Sequence, residues 1–96
     1  MSGYRISVRA SDELLNTYLR GLELFGRLQA DRYLDELHAI FGLLADNPRM
    51  GRLAPRAGKG VRRHEHASHV VFHREMDDAV LILGVVHMHQ VHGLSF

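Results

Sequence analysis

The chain has 96 residues and a mass of 10.9 kDa, the size of one small domain with a modest hydrophobic core. Its 46% apolar and 24% charged content is typical of a globular domain and argues against long disordered segments. The absence of cysteine excludes disulfides, thiolate metal sites and cysteine nucleophiles, and it fits a reducing cytoplasm. No apolar run reaches the roughly 18 residues of a membrane span, and none follows the N-terminus. We therefore expect a cytoplasmic protein with one domain over residues 1–96, no signal peptide and no membrane contact.

Positive charge is concentrated in the middle of the chain. Residues 1–46 have a net charge of −2 and residues 65–96 a net charge of −3, whereas residues 47–64 contain six bases and no acid. These bases are Arg49, Arg52, Arg56, Lys59, Arg62 and Arg63. Such a run forms either a solvated loop or a site for an acidic partner, and arginine suits bidentate contacts with carboxylates or phosphates. The run contains no aromatic residue, which argues against binding of single-stranded nucleic acid.

The first half of the chain predicts one strand and two helices. Residues 4–9 alternate between apolar and polar side chains, as in a half-buried strand. Ser11 can then cap a helix that Gly26 ends. Residues 30–44 have apolar side chains at helical spacing, and Pro48 stops the second helix. Only two or three residues separate the helices, which predicts an antiparallel helical hairpin.

The second half predicts a small sheet. Residues 47–60 form a basic connector with three glycines and two prolines. Strands are expected at residues 61–64, 67–74 and 79–88, and the last is apolar on both faces, which is typical of an interior strand. The predicted fold class is α+β, with an N-terminal strand and a helical hairpin packed on a small antiparallel sheet whose three other strands are C-terminal.

This order of elements, together with particular residues, resembles the ParE toxins of the ParE/RelE superfamily. The matching stretches are residues 33–37 (YLDEL), 44–52 (LADNPRMGR), 61–63 (VRR), 68–74 (SHVVFHR) and 85–89 (VVHMH). The resemblance as a whole covers the chain from about residue 4 to residue 92. No single stretch is specific, but the ordered set is. The chain departs from the family at His73, where tyrosine is common, at Gly84, where arginine or another large residue is common, and in a tail without a basic residue.

The resemblance implies the toxin of a bacterial type II toxin–antitoxin system. A ParD-like antitoxin encoded beside the toxin would neutralise it by direct binding, in a hetero-oligomer of two toxins and two antitoxins or a multiple of that. Operator DNA would be contacted only through the antitoxin. Characterised ParE-like toxins poison DNA gyrase and block replication, so gyrase is the expected target, without catalysis, cofactor or metal. The expected antitoxin- or target-binding residues are Arg49, Arg52, Arg62, Arg63, Arg74, His87 and His89.

An alternative is the chemistry of the RelE-like toxins, which cleave messenger RNA on the ribosome. Such an enzyme needs a positioned base, a cation and an acid. The RelE-like set uses a tyrosine near the C-terminus, whereas Tyr4, Tyr18 and Tyr33 all lie in the first third of this chain. Histidine can serve as acid or base near neutral pH, so Arg62, Arg74, His87 and His89 are the substitute constellation that this alternative requires.

The eight histidines also raise the question of a metal site. His64 and His66, and likewise His87 and His89, have the spacing that puts a pair on one strand face. With no cysteine and no metal-binding signature, we interpret them as histidines of the surface and sheet edge. A third interpretation of the chain is a toxin fold that has lost toxicity and persists as a binding partner.

Overall fold

The computed structural model describes residues 3–96, which form two helices and a five-stranded mixed sheet. The helices are α1 (Val8–Phe25) and α2 (Arg27–Asp46). The strands are β1 (Gly3–Ile6), β2 (Arg52–Leu53), β3 (Val61–His66), β4 (His69–Glu75) and β5 (Ala79–His87), and a short 3₁₀ turn (Met88–Gln90) follows. Within residues 3–96, neither helix is long and apolar enough to cross a bilayer.

The α+β class and the helical hairpin are confirmed. Gly26 ends α1 and is the only residue between the helices, so the connection is shorter than the expected two or three residues. Asn47 ends α2 directly before Pro48, as predicted. Strand β5 lies between β1 and β4 in the sheet order β1-β5-β4-β3-β2, which agrees with its apolar side chains on both faces.

The prediction of an antiparallel sheet is wrong for one strand pair. Strand β1 pairs in parallel with β5. From β2 to β5 each strand runs opposite to the one before it, and β5 has the same direction as β1. Strand β2 lies inside the predicted connector, since two residues are too short to show alternation. The other pairs are antiparallel, and a bulge opposite Phe72 and His73 leaves Leu83 as the extra residue of β5.

The start of α1 also differs from the prediction. The strand ends at Ile6, and Ser7 rather than Ser11 caps the helix, with its Oγ accepting a hydrogen bond from the Ala10 N–H at 3.0 Å. Val8, predicted to lie in the strand, is 81% exposed on the first turn of α1. Strand β1 pairs with β5 over only four residues, so the chain is free to begin the helix at Ser7.

Helix α1 protects the part of β5 that β1 is too short to cover. The Ser7 N–H donates to the Ile82 carbonyl at 3.0 Å, and the Ser7 hydroxyl donates to the Leu83 carbonyl at 3.1 Å. The Glu13 carboxylate then accepts from the Val85 N–H at 2.9 Å. These bonds satisfy backbone groups that would otherwise form an open sheet edge.

The sheet is covered on both faces by separate apolar clusters. The first lies under the helices and includes Leu37, Phe41, Leu44 and Ile82, all 1% exposed or less. The second lies on the opposite face, which we call the tail face, where residues 54–57 and 91–96 pack on the sheet. Its members are Ala57, Val61, Val70, Phe72, Leu83 and Val86, with Phe96 and Leu94 packed against them. Because Val71 faces the helices while Val70 and Phe72 face the tail, the predicted alternation of this strand is confirmed.

Candidate functional site

The five predicted arginines do not form one patch. Arg63 and Arg74 share the tail face, where they pair with Phe72 and Leu81, whereas Arg62 is opposite His73 on the other face. Their partners also differ, except that Arg52 and Arg63 share Glu65. Arg49 pairs with Glu75 at 3.7 Å, Arg52 and Arg63 pair with Glu65 at 2.6 Å and 3.4 Å, Arg62 donates to the Gly51 carbonyl at 3.1 Å, and Arg74 donates to the Phe96 carbonyl at 3.5 Å.

His87 and His89 lie at the other end of the sheet from Arg62 and Arg74. Arg74 is opposite Leu81, six residues before His87, which corresponds to about 20 Å along a strand. The substitute ribonuclease constellation is therefore split, because its cations and its histidines cannot reach the same phosphate. The structure contradicts that part of the alternative hypothesis.

The histidine end of the sheet instead forms an array that we call the histidine array, made of His66, His69, His87 and His89 with Tyr33. Tyr33 reaches from α2, and its hydroxyl lies 2.7 Å from Nδ1 of His69. The rings of His69 and His87 are 5.4 Å apart, and those of His87 and His89 stack at 5.0 Å. Burial raises the pKa of Tyr33, and burial followed by the charges of His87 and His66 lowers the pKa of His69. Both side chains are therefore neutral at pH 7.

In the part of the chain that the structure describes, no group of three or more His, Asp or Glu side chains is arranged to hold a metal ion. In the histidine array, Nδ1 of His69 contacts Tyr33, and Nδ1 of His87 accepts the His89 backbone N–H at 3.2 Å. His66 pairs through Nε2 with Glu36 at 2.9 Å. The histidine rings of the array thus contact one another and side chains of α2.

A groove of about 280 Å³ lies between the two helices, and we call it the hairpin groove. It is lined by Ile6, Ser11, Leu14, Leu15, Tyr18, Leu34 and His38. His38 is half-buried, with Nδ1 3.0 Å from the Tyr4 hydroxyl. Beside the groove, Leu15 and Leu19 are 57% and 50% exposed and follow Val8 on the same stripe of α1.

A second concavity, which we call the basic groove, lies on the tail face and has a volume of about 620 Å³. It is lined by Arg52, Leu53, Ala54, Pro55, Arg56, Ala57, Arg63, Phe72, Val91, His92, Gly93 and Leu94. The Arg63 guanidinium lies over the Phe72 ring, 5.8 Å from its centroid. The groove therefore combines an apolar floor with cationic walls.

The tail explains the glycine at position 84. A Cβ atom on Gly84 would lie 2.9 Å from the Phe96 ring. That ring packs on Phe72 with centroids 5.1 Å apart, and the Arg9 guanidinium covers it at 4.7 Å. The Phe96 N–H also donates to the Ala57 carbonyl. Phe96 thus occupies the space that a residue larger than glycine would need at position 84.

We expect Gly84→Ala to lower the free energy of unfolding by about 1–2 kcal/mol, because the new methyl group displaces the Phe96 ring. Urea unfolding measures this loss. The same substitution in a Phe96→Ala background should cost distinctly less, since the obstructing ring is gone. Equal costs in the two backgrounds would show that Gly84 and Phe96 are not coupled.

Sequence reasoning missed several residues of these surfaces. The hairpin groove needs the packing angle of two helices, which no pattern within one helix specifies. Arg56 belongs to the basic run and Tyr33 to one of the matching stretches, but neither is among the predicted contact residues. The exposed stripe on α1 carried a usable signal, because Leu15 and Leu19 extend the apolar face beyond the width that one core contact needs.

Comparison with known proteins identifies the family. The family model described as the ParE toxin of the type II toxin–antitoxin system parDE matches residues 4–92. Toxin ParE1 of Caulobacter vibrioides is 36% identical over 87 residues, which cover 91% of this chain and 90% of that protein. A chain of the chromosomal ParDE system from P. aeruginosa has a TM-score of 0.76 at 19% identity, over 91% of this chain and 96% of that one. A chain of the RelBE2 toxin–antitoxin complex from Mycobacterium tuberculosis has a TM-score of 0.62 at 22% identity, over 90% and 96%. The two structures share the fold, and the family model and the Caulobacter relative show that the chain belongs to the ParE toxins of type II toxin–antitoxin systems.

Proposed function

We propose that this ParE-type toxin inhibits DNA gyrase by binding it and that a ParD-like antitoxin neutralises the toxin by covering its surface. The observation that carries the proposal is the uncovered apolar stripe of α1 beside the hairpin groove. Large apolar side chains exposed next to a concavity mark a protein-binding surface. Because catalysis is not needed for such inhibition, binding surface alone is sufficient for this function.

The hairpin groove is the site that we assign to the antitoxin. Val8, Leu15 and Leu19 recur at the spacing of one helix face and are 81%, 57% and 50% exposed. An amphipathic helix lying along such a stripe would bury these side chains and insert one of its own between α1 and α2. The solved structures that share this fold come from a ParDE toxin–antitoxin system and a RelBE2 toxin–antitoxin complex, which supports an antitoxin as the partner.

The proposal places two toxins and two antitoxins, or a multiple of that, in a cytoplasmic complex that reaches operator DNA only through the antitoxin. The seven candidate contact residues lie on separate surfaces of the toxin. Arg52 and Arg63 belong to the basic groove, and His87 and His89 belong to the histidine array. Arg49, Arg62 and Arg74 remain candidates for contact with the antitoxin or the target.

The ribonuclease alternative loses support because of the separation between Arg74 and His87. Transphosphorylation needs acid, base and cation around one phosphate. The histidine array supplies groups able to transfer protons, but the arginines proposed to hold the phosphate are about 16–20 Å away along the strands.

The test of antitoxin binding is Leu15→Glu. We expect the purified variant to bind the antitoxin encoded by the neighbouring gene at least 100-fold more weakly, because the substitution buries an unpaired carboxylate in an apolar contact. Leu15 is 57% exposed, so the fold should persist, which circular dichroism checks. Leu43→Glu is the matched control, since Leu43 is 47% exposed and does not line the groove. Equal antitoxin affinity for both variants would contradict the assignment of the hairpin groove.

A further inference from the structure

The segment that covers the tail face begins at a short turn that one histidine ring caps. The backbone N–H of His89 donates to Nδ1 of His87 at 3.2 Å, and His87 is the N-cap of the 3₁₀ turn (Met88–Gln90). Residues 91–96 follow this turn and pack on the sheet. We propose that protonation of His87 removes the cap and releases residues 91–96 from the tail face, so that acid opens the basic groove. This device requires neither the antitoxin nor gyrase.

The cap exists only while the His87 ring is neutral. A backbone N–H is a donor, so Nδ1 of His87 must be an acceptor that carries no hydrogen. A protonated imidazole has a hydrogen on both ring nitrogens and accepts at neither. Histidine is the side chain that ordinarily changes charge between about pH 5 and pH 8. A moderate fall in pH therefore replaces the hydrogen bond with two hydrogens that face each other.

The titratable neighbours of His87 add to this effect. The rings of His87 and His89 stack with centroids 5.0 Å apart, so charges on both rings repel the turn from the strand. His69 of β4 lies at 5.4 Å, and burial lowers its pKa, so it stays neutral while the others gain protons. Also at this end of the sheet are Tyr33 and Glu36 of α2, His66 of β3 and Glu13 of α1. The two carboxylates among them already bind other groups.

The tail is anchored near its two ends. At the far end, Phe96 donates its N–H to the Ala57 carbonyl at 2.6 Å, and its ring packs against the apolar cluster of the tail face. At the near end is the capped turn, which the Met88 N–H also holds by donating to the Ser68 carbonyl at 2.8 Å. A segment tied at a few points opens without unfolding of the whole domain, so loss of the cap raises its open population. Because residues 91–94 line the basic groove, that opening widens the groove.

The test is hydrogen exchange measured by NMR at pH 7.5 and pH 5.5, with the Phe96 amide as the reporter of the tail. In the wild type we expect the protection factor of this amide to fall roughly fivefold on acidification, the effect of losing one cap. The buried Val71 amide in the middle of the sheet corrects for any change in global stability. Nuclear Overhauser contacts between the Phe72 and Phe96 rings, whose centroids are 5.1 Å apart, should weaken in parallel.

Two substitutions separate the acceptor from the charge. His87→Asn keeps a side-chain acceptor that gains no proton at either pH, so the tail should stay docked at both. His87→Ala removes acceptor and charge together, so the tail should be loose at both pH values. His92→Gln is the matched control, because it removes an exposed histidine of the tail and leaves the cap intact. This control should keep the wild-type response, and circular dichroism checks that all variants fold.

Each outcome decides the proposal. A tail that is docked at both pH values in His87→Asn and loose at both in His87→Ala supports it. A docked tail in His87→Ala would show that repulsion between rings, rather than the lost acceptor, releases the tail, and it would overturn the proposal. Equal protection of the wild-type Phe96 amide at the two pH values overturns it as well. Loss of the response in His92→Gln would assign the effect to the tail's own histidine, with the same consequence.

Discussion

Wild-type toxin should lose about 2–3 kcal/mol of stability between pH 7.5 and pH 4.5 through His73 alone. His73 is 0% exposed, and neither ring nitrogen makes a hydrogen bond of good geometry within residues 3–96. Burial, followed by the charges of His64 and Arg62, lowers its pKa from 6.5 to about 4. The backbone of Met50 lies near the ring and partly opposes this lowering of the pKa. The folded state therefore keeps His73 neutral where the unfolded state already binds a proton. This contribution to stability is complete above pH 6.5 and is lost as the pH falls towards 4.

Urea unfolding of His73→Phe at the two pH values measures this contribution. The variant should lose about 2–3 kcal/mol less than the wild type between pH 7.5 and pH 4.5. At pH 7.5 it should be at least as stable, since two unpaired polar nitrogens leave the core. Ser95→Ala, which changes an exposed residue without a titratable side chain, should keep the wild-type pH dependence. Parallel pH profiles for wild type and His73→Phe would show that His73 is protonated equally in both states.

Gly51→Ala should destabilise the fold by about 3 kcal/mol. Gly51 has a φ of +84°, and a Cβ atom there would lie 2.4 Å from the Arg63 carbonyl oxygen. The left-handed conformation alone costs an alanine about 1–2 kcal/mol. The clash adds to this because the obstacle is the backbone of β3, which can move only if the pairing of β2 with β3 opens. The basic groove, with Arg52 in its wall, should loosen together with that pairing.

Gly60→Ala separates the two effects. Gly60 also has a positive φ, of +74°, but a Cβ atom there meets nothing within 4 Å. We expect a loss of about 1 kcal/mol, from the backbone conformation alone. Chemical denaturation of both variants gives the comparison. Equal losses would show that the contact of Gly51 with β3 relaxes without cost.

Local signals predicted most of the fold. The run of Val80 to Val86 required a strand covered on both faces, and β5 has the helices on one side and the tail on the other. Gly26 and Pro48 ended the helices because their restrictions act within one or two residues. The parallel pairing of β1 and the two-residue β2 depend on contacts between distant residues, and no local pattern encodes these. Ser7 and Ser11 are both local candidates for the cap, and the bonds of Ser7 to Ile82 and Leu83 favour Ser7.

The candidate surfaces were less predictable from sequence. Charge along the chain identified Arg52 and Arg63, but alternation along β3 places Arg62 and Arg63 on opposite faces. Register then separates Arg74 from His87. His73 and Gly84 depart from the family pattern, and the structure gives each a physical setting. His73 is buried without a hydrogen bond of good geometry within residues 3–96, and Gly84 leaves space for Phe96.

The most direct test of the proposed function is a supercoiling assay with purified DNA gyrase. The toxin alone should inhibit supercoiling, and prior addition of the antitoxin from the neighbouring gene should restore it. The Leu15→Glu variant should resist this rescue, because its hairpin groove no longer accepts the antitoxin. Full gyrase activity in the presence of a toxin that still arrests growth would contradict the account and direct attention to cleavage of ribosome-bound RNA.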